Sequence, residues 1–385
     1  MDFAWTDSTE ALRVEVLAFL QQHLPPALDD YLYEIGVSHD AGFVQALGEK
    51  NWIAPEWPRE GFEILDAEAI HMIEEEFTRA HAPIYASSTS MMVARVIKAV
   101  GSAHLQDEIL DGCVRGSITI ALGMSEPEAG SDVAAVQTRA REVDGGWLID
   151  GQKMFTTNGH VADYVFLLAR TDPESQRHKG LTTFLVPLNA PGVEAQAVFT
   201  VSGERTNIMF YSECFIEDRW RISEPGAGWQ SLMLALQDEH SAPFSPHLDR
   251  VLRAAEEWAA APAERGDRPL DRDDVRRRLI GAAIDLEVAQ LLEVRSTWME
   301  GRHETPVVEG PMSKLFGTEA VVKHTEAISA MVGPDALRSR GDASAIANGH
   351  IEHGLRFSLG TTIYGGTSEV QRNIIAQRGC GLPRA

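Results

Sequence analysis

Residues 164–169 (Tyr-Val-Phe-Leu-Leu-Ala) and residues 182–186 (Thr-Thr-Phe-Leu-Val) are short runs rich in β-branched and aromatic side chains. Runs of this kind, bounded by turn residues, are typical of β-strands. Val193 to Val201 and Ile208 to Phe215 repeat the pattern, with Gly, Pro and Asn between the runs. The chain therefore predicts a block of strands from about Ser117 to Ile222.

Helical patterns lie on both sides of this block. Between Ala11 and Gly116, apolar residues recur at helical spacing, for example at Ile70, Ile73 and Phe77. After Gly228 the helical spacing returns and continues almost to the end of the chain. An order of helical, strand and helical blocks predicts an α+β fold with two helical units around a small β domain.

The length of 385 residues predicts two or three structural units. We expect an N-terminal helical domain over residues 1–116, a middle β domain over 117–226 and a C-terminal helical bundle over 227–385.

The charge balance excludes several classes of partner. There are 34 Lys and Arg residues against 57 Asp and Glu residues, for a net charge of −23. Nucleic acids and anionic membrane surfaces bind clustered cations, so neither is expected. The start of the chain resembles an amphipathic helix rather than a secretory signal, and no apolar run is long enough to span a bilayer. Three widely spaced cysteines suit a reducing compartment, so we expect a cytoplasmic protein.

Common catalytic motifs are missing from the sequence. It has no Walker A pattern, no GxSxG, no HExxH and no GxGxxG after a strand. The 13 histidines are scattered, so no metal site is predicted.

The first informative motif is Met-Ser-Glu-Pro-Glu-Ala-Gly-Ser-Asp at residues 124–132. Ser125 with Glu128 three residues later predicts a capping box at a helix start. Free backbone N–H groups beside two hydroxyls could accept a polar ring edge or a phosphate. A plain transition from loop to helix remains open.

The second motif is Lys-Met-Phe-Thr-Thr-Asn-Gly at residues 153–159. Its Asn-Gly pair predicts a β-hairpin. Phe155 and Thr157, two residues apart, would share one strand face and could offer a wall and a hydrogen bond to a flat heterocycle. Core packing is an equal alternative.

The third motif is Ile-Tyr-Gly-Gly-Thr-Ser-Glu-Val-Gln-Arg-Asn at residues 363–373. Its two glycines allow the backbone to approach a ligand closely. Ser368 with Gln371 predicts the cap of a following helix.

Together these motifs resemble those of acyl-CoA dehydrogenases in order and in spacing. Gly203 to Asn207 (Gly-Glu-Arg-Thr-Asn) and the extended third motif at residues 364–384 fit the same family, so the resemblance covers nearly the whole chain. It implies an N-terminal helical domain, a middle β-barrel-like domain and a C-terminal four-helix bundle. It also implies FAD as cofactor, an acyl-CoA substrate and an electron-transfer flavoprotein as acceptor.

The resemblance assigns roles to individual residues. A hydroxyl at Ser125 would meet the flavin pyrimidine edge, and one at Ser131 would meet the cofactor or CoA phosphates. Phe155 would stack on the flavin and Thr157 would lie near its N5. The complete set of implied cofactor contacts is Leu122, Met124, Ser125, Gly130, Ser131, Phe155, Thr157, Thr367 and Glu369.

The catalytic base is not at its most frequent family position. Many members carry a Glu immediately before the Gly-Thr of the third motif, but this chain has Gly365 there. A minority place the base on an early helix of the last domain, which corresponds to Glu239. Glu239 lies about 20° from Leu232 in helical projection, so it borders the apolar stripe of a helix expected from Gly228 to Ser241. A surface Glu at a frayed helix end is the alternative. The Gly365 N–H, with a ribityl hydroxyl of FAD, would bind the thioester oxygen.

Two family features are lost. The Arg-x-x-Phe-Gly stretch that reaches the partner's FAD diphosphate corresponds to residues 262–266, where Pro262 and Arg265 stand in place of the usual Arg and Phe. The later Gln-Val-Phe-Gly-Gly stretch is Ser-Ala-Met-Val-Gly at residues 329–333. This combination resembles actinobacterial enzymes for steroid side chains, several of which are α2β2 heterotetramers. It implies a bulky acyl group and a homo- or hetero-oligomer.

The sequence thus predicts FAD-dependent α,β-dehydrogenation of an acyl-CoA thioester with Glu239 as base. A flavin oxidase or oxygenase of the same fold is one alternative. A non-catalytic partner subunit of a heteromeric dehydrogenase is another.

Overall fold

A computed structural model of the chain describes residues 4–175, 177–237, 243–262 and 266–383. It confirms the α+β class and the order of helical, strand and helical blocks. Residues group into two compact units, one of Met1–Leu20, Leu65–His81 and His240–Ala385, the other of Gln21–Ile64 and Ala82–Glu239.

The second unit contains a seven-stranded sheet within the described residues. Its strands are β1 (Ile120–Gly123), β2 (Arg139–Val143), β3 (Gly146–Lys153), β4 (Tyr164–Arg170), β5 (Leu181–Pro187), β6 (Val193–Phe199) and β7 (Arg205–Glu217). Its helices are α2 (Pro26–Ile35), α3 (Ala41–Glu49), α5 (Tyr85–Val100), α6 (Ala103–Arg115) and α7 (Gly228–Gln237).

The sheet runs in the order β1-β4-β2-β3-β7-β6, and β5 also pairs with β4. The β1–β4 pair is parallel, whereas β3 runs antiparallel to both β2 and β7. Residues 164–169 and 182–186, the two runs that first predicted strands, form most of β4 and β5. Both strands are almost wholly buried, which explains their continuous apolar sequence.

The first unit is helical. It contains α1 (Asp7–His23) up to Leu20, then α4 (Ala67–Arg79), α8 (Ser245–Ala260), α9 (Asp273–Glu300), α10 (Glu309–Val332), α11 (His350–Thr361) and α12 (Ser368–Ile374). Helices α8, α9, α10 and α11 pack on one another around an apolar core, which confirms the predicted four-helix bundle. Among the described residues, no helix combines the length and apolar character needed to cross a membrane.

A group of histidines lies in this helical unit. The rings of His81 and His353 are 5.2 Å apart, and His247 on α8 packs 4.6 Å from Phe357 on α11. Burial, together with the charge of Arg250, lowers the pKa of His247 to about 3. The folded protein therefore keeps this imidazole neutral.

The buried histidine makes stability depend on pH. In the unfolded chain this imidazole is protonated near pH 6.5, whereas in the folded protein it stays neutral down to about pH 3. Its contribution to the free energy of unfolding is therefore complete above pH 6.5 and decreases as the pH falls below that value. We expect the wild type to lose about 1–2 kcal/mol more than His247→Phe between pH 7.5 and pH 5, in chemical unfolding measured at both pH values. His178→Phe, at an exposed site, is the control and should follow the wild type. Equal losses in His247→Phe and the wild type would contradict this origin.

Candidate functional site

The first motif forms a tight turn rather than a helix start. Glu126 and Ala129 exchange two backbone hydrogen bonds, of 2.8 and 3.1 Å, and no helix begins at Ser125. The predicted capping box is therefore wrong. The turn uses backbone donors that a helix would have needed.

Glu126 points inward to a buried lysine. The Nζ of Lys153 donates to Glu126 Oε1 at 2.7 Å and to the Met124 carbonyl at 3.2 Å. The backbone N–H groups of Gln137 and Thr138 also donate to the Glu126 carboxylate, at 2.5 and 2.9 Å. The first motif and the end of β3 are thus joined by one ion pair.

The protonation states fit this pairing. Burial lowers the pKa of Lys153 to about 8, although Glu126 opposes the shift, so the ammonium form persists at neutral pH. Burial alone would raise the pKa of Glu126, but Lys153 and the Gln137 N–H outweigh it and the pKa is lowered. Both partners are therefore charged at pH 7.

The second motif ends β3 without forming a hairpin. Lys153 is the last residue of β3, and Phe155 and Asn158 both adopt left-handed backbone angles, with φ of 58° and 60°. The chain then turns into β4, which pairs with β1, β2 and β5 rather than with β3. The predicted hairpin, and the shared strand face for Phe155 and Thr157, are wrong because the reversal at Phe155 ends the alternation.

Phe155 nevertheless presents its ring outward. The residue is 61% exposed, although Lys153 and Thr156 close to it are fully buried. A non-glycine residue at positive φ is strained, and such strain persists only where the surroundings fix it. An exposed, fixed aromatic ring is suited to stacking on a flat ligand.

Asn207 fixes the chain on the other side of Phe155. The backbone carbonyl of Asn207 accepts from the Thr156 N–H at 3.0 Å, and its side-chain Nδ2 donates to the Thr156 backbone carbonyl at 2.9 Å. Arg205 donates to its Oδ1 at 3.1 Å. The sequence placed Asn207 in a family stretch but gave it no role, because a buried Asn leaves no periodic signal.

Leu122 and Thr157 are two further predicted cofactor contacts. Ile120 directs its N–H and carbonyl to Ser90 and Thr89 on α5, at 2.8 and 2.9 Å. Backbone groups two residues apart face the same edge of a strand, so those of Leu122 face the edge away from β4. Thr157 shares a 3.3 Å hydrogen bond with Thr206.

The third motif lies in the helical unit and differs from expectation by one residue. Thr367, rather than Ser368, caps α12 by accepting from the Val370 N–H at 3.3 Å. Gln371 instead reaches back, and its Nε2 donates to the Gly365 carbonyl at 2.9 Å. Its Oε1 is buried without a hydrogen-bond partner among the described residues.

Gly365 and Gly366 both have left-handed angles, with φ of 66° and 84°. A side chain at Gly365 would be strained, which agrees with the absence of a carboxylate at this position.

The remaining predicted residues are distributed as follows. Met124 and Ser125 are half-buried, and the Ser125 carbonyl accepts from the N–H of Met154, the residue before Phe155, at 2.8 Å. Gly130, Ser131 and Glu369 are exposed. Glu239 and residues 263–265 lie outside the described residues. The described part of the predicted helix, α7, buries Leu232 and Ala235.

One cavity lies at the third motif, and another lies at residues 329–333. One of about 620 Å³ is lined by Thr367, Glu369, Arg372, Lys323 and other residues of α10. The second, of about 420 Å³, lies at Ser329, Ala330 and Gly333 and is lined mainly by apolar atoms, with Glu326 at its wall.

The residues present fit one part of FAD and not another. An outward aromatic ring, strand-edge backbone groups and the Ser125 and Thr157 hydroxyls suit a flavin ring. The cavity at residues 329–333 offers apolar walls and a carboxylate, which do not suit a diphosphate. The apolar cavity therefore supports the interpretation that the Gln-Val-Phe-Gly-Gly stretch of the family is lost in this chain.

Comparison with known proteins gives the family. Three family models match in order: the acyl-CoA dehydrogenase N-terminal domain at residues 6–117, the middle domain at 121–218 and the C-terminal domain at 226–380. The chain is 30% identical to acyl-CoA dehydrogenase FadE26 of Mycobacterium tuberculosis, and the alignment covers 100% of both proteins.

Two solved structures are similar along their whole length. The ChsE4-ChsE5 complex from Mycobacterium tuberculosis matches with a TM-score of 0.91 at 28% identity, covering 100% of each chain. The structure titled Tcur3481-Tcur3483 steroid ACAD matches with a TM-score of 0.91 at 27% identity and the same coverage. The chain therefore belongs to the acyl-CoA dehydrogenase family, whose members are FAD-dependent oxidoreductases.

Proposed function

We propose that the protein catalyses FAD-dependent α,β-dehydrogenation of a bulky acyl-CoA thioester and passes the electrons to an electron-transfer flavoprotein. The observation that carries this proposal is the exposed ring of Phe155, held in a strained backbone conformation between the first motif and Asn207 on β7. A core residue would be buried and would have an unstrained backbone conformation. A residue that stacks on a ligand must be both exposed and rigid. When bound, FAD supplies the hydride acceptor for the hydrogen on the β carbon.

Glu239 is proposed as the base that removes the α proton. Its position after α7, whose apolar face is buried, and the glycine at residue 365 both support this choice. A carboxylate with little access to water has a raised proton affinity, as proton abstraction from carbon requires.

Gly365 is proposed to stabilise the charge that develops on the thioester oxygen. Gln371 donates to the Gly365 carbonyl at 2.9 Å and so fixes the peptide between Gly365 and Gly366, which adjoins the peptide that carries the Gly365 N–H. Within the described residues, the Gly365 N–H donates to no backbone carbonyl, so it is available to an oxyanion. Thr367 and Glu369, at the neighbouring cavity, are proposed cofactor contacts.

The relatives support the proposed substrate and assembly. One structural neighbour is titled a steroid enzyme and another is a complex of two named chains, which supports a bulky acyl group and an α2β2 assembly. The apolar cavity at residues 329–333 supports the same assembly, because a chain without a diphosphate site needs another chain to provide one.

Helix α9 supplies a candidate contact face for that assembly. Large apolar side chains recur on it at intervals of three, four and seven residues and remain exposed, which marks an interaction surface. They are Ile280, Ile284, Val288, Leu291 and Trp298.

A non-catalytic partner subunit is the second candidate, since the loss of the diphosphate residues favours it as well. The two functions predict different flavin absorbance of the purified protein. A catalytic chain, alone or co-purified with a sister subunit, gives a yellow protein that an acyl-CoA bleaches through residues of this chain.

The base assignment predicts a specific loss. Glu239→Gln should retain FAD but lose substrate-induced bleaching by at least about 10³-fold, because the neutral amide cannot accept the α proton. Stopped-flow absorbance of the flavin band with short, long and steroidal CoA thioesters measures this. Asp238→Asn, on the adjacent residue, is the matched control and should bleach normally. Rapid bleaching in Glu239→Gln would refute the assignment.

The α9 face predicts a change in assembly. Ile284→Lys should shift the complex to smaller species, because it places a charge in a buried apolar contact. Sedimentation velocity of the purified complex measures the mass. Val14→Lys, at an exposed apolar residue on α1, should leave the mass unchanged. An unaltered mass in Ile284→Lys would remove α9 from the interface.

A further inference from the structure

We infer that Lys153 and Asn207 are positioning residues that fix Phe155 in its left-handed conformation before the cofactor binds. The inference rests on the proposed function, in which Phe155 stacks on the flavin. Neither residue need touch the ligand. Each acts through the peptide on one side of Phe155.

Lys153 fixes the N-terminal side. Its ammonium group, fully buried, binds Glu126 at 2.7 Å and the Met124 carbonyl at 3.2 Å. This brings the 124–126 segment against the end of β3, where the Ser125 carbonyl accepts from the Met154 N–H at 2.8 Å. The residue before Phe155 is therefore bonded to the first motif.

Asn207 fixes the C-terminal side. It is fully buried and bonds both the N–H and the carbonyl of Thr156, at 3.0 and 2.9 Å. Arg205 holds the Asn207 Oδ1 at 3.1 Å, so the amide orientation that donates to Thr156 is the one the network supports. The residue after Phe155 is therefore bonded to β7.

With both neighbours fixed, the backbone of Phe155 has little freedom. The left-handed angle of 58° is unfavourable for an aromatic residue in a free chain, and relaxation of either neighbour would release it. The ring would then leave the orientation in which it is 61% exposed. A ring that is already fixed loses less conformational entropy when the cofactor binds. Lys153 and Asn207 should therefore increase the affinity of the protein for FAD.

Lys153 also polarises the peptide that it holds. The Met124 carbonyl accepts from a cation, and the same peptide carries the Ser125 N–H, which becomes a stronger donor. Ser125 is a proposed contact of the flavin pyrimidine edge. Substitution of Lys153 should therefore change both the affinity for FAD and the absorption spectrum of the bound flavin.

The test uses the FAD-loaded protein, purified alone or with its sister subunit. Lys153→Met and Asn207→Ala should each weaken FAD binding by at least about tenfold and alter the visible circular dichroism of the bound flavin. Phe155→Ala sets the scale for complete loss of the ring. Glu126→Gln combined with Lys153→Met removes both charges and serves if the single Lys153 variant fails to fold.

Ile149→Ala is the matched control. Ile149 lies on β3 with Lys153 and is equally buried, but it contacts the apolar core rather than the Phe155 segment. It should lower the melting temperature while FAD affinity and the dichroism of bound flavin stay within about threefold of the wild type. A purely structural role for Lys153 and Asn207 predicts this same result for their variants.

Hydrogen exchange separates the outcomes further. In the apo-protein, amides of residues 154–159 should exchange faster in the Lys153 and Asn207 variants than in Ile149→Ala. Folded variants with wild-type FAD affinity, flavin dichroism and exchange would overturn the inference and leave the proposed function standing. A wild-type protein that takes up no FAD in either preparation would instead overturn the proposed function, and this inference with it.

Discussion

The surface proposed to face the flavin depends on the buried ion pair between Lys153 and Glu126. Moving each charge out of water costs several kcal/mol, and a buried pair is tolerated only where hydrogen bonds satisfy both groups. Here the Met124 carbonyl and the N–H groups of Gln137 and Thr138 meet that condition. Removing one partner of such a pair typically costs about 3–5 kcal/mol, so the turn at Glu126 and the end of β3 are coupled. The order of the Phe155 segment follows from that coupling.

Much of the fold could be predicted because apolar patterning reports burial directly. The runs at residues 164–169 and 182–186 became β4 and β5 since both strands are buried on two faces. Of the strands that had not been singled out, β1 is short and pairs with the distant β4, whereas β2 and β3 pair with each other across a two-residue turn but carry charged residues at exposed positions. Propensity alone does not identify strands of that kind.

The local errors at the motifs have a common physical origin. The capping box at Ser125, the hairpin at Asn158 and the cap at Ser368 were all inferred from residues that form such structures with neighbours in sequence. In the fold, Glu126 is drawn to Lys153, Phe155 is held by Ser125 and Asn207 on its two sides, and Gln371 turns back to Gly365. Tertiary contacts override short-range preference where a site is built, and such sites are where local rules are expected to fail.

The region proposed to hold the flavin ring and the region of residues 329–333 differ in chemistry, and charge explains the consequence. The ring end has a fixed aromatic platform and oriented backbone groups, all from this chain. At residues 329–333 the cavity wall is apolar and carries Glu326, within a chain whose net charge is −23. A diphosphate needs guanidinium, ammonium or N–H donors, and a carboxylate repels it. In the proposed FAD-dependent enzyme, the cations that bind the diphosphate therefore come from a partner chain.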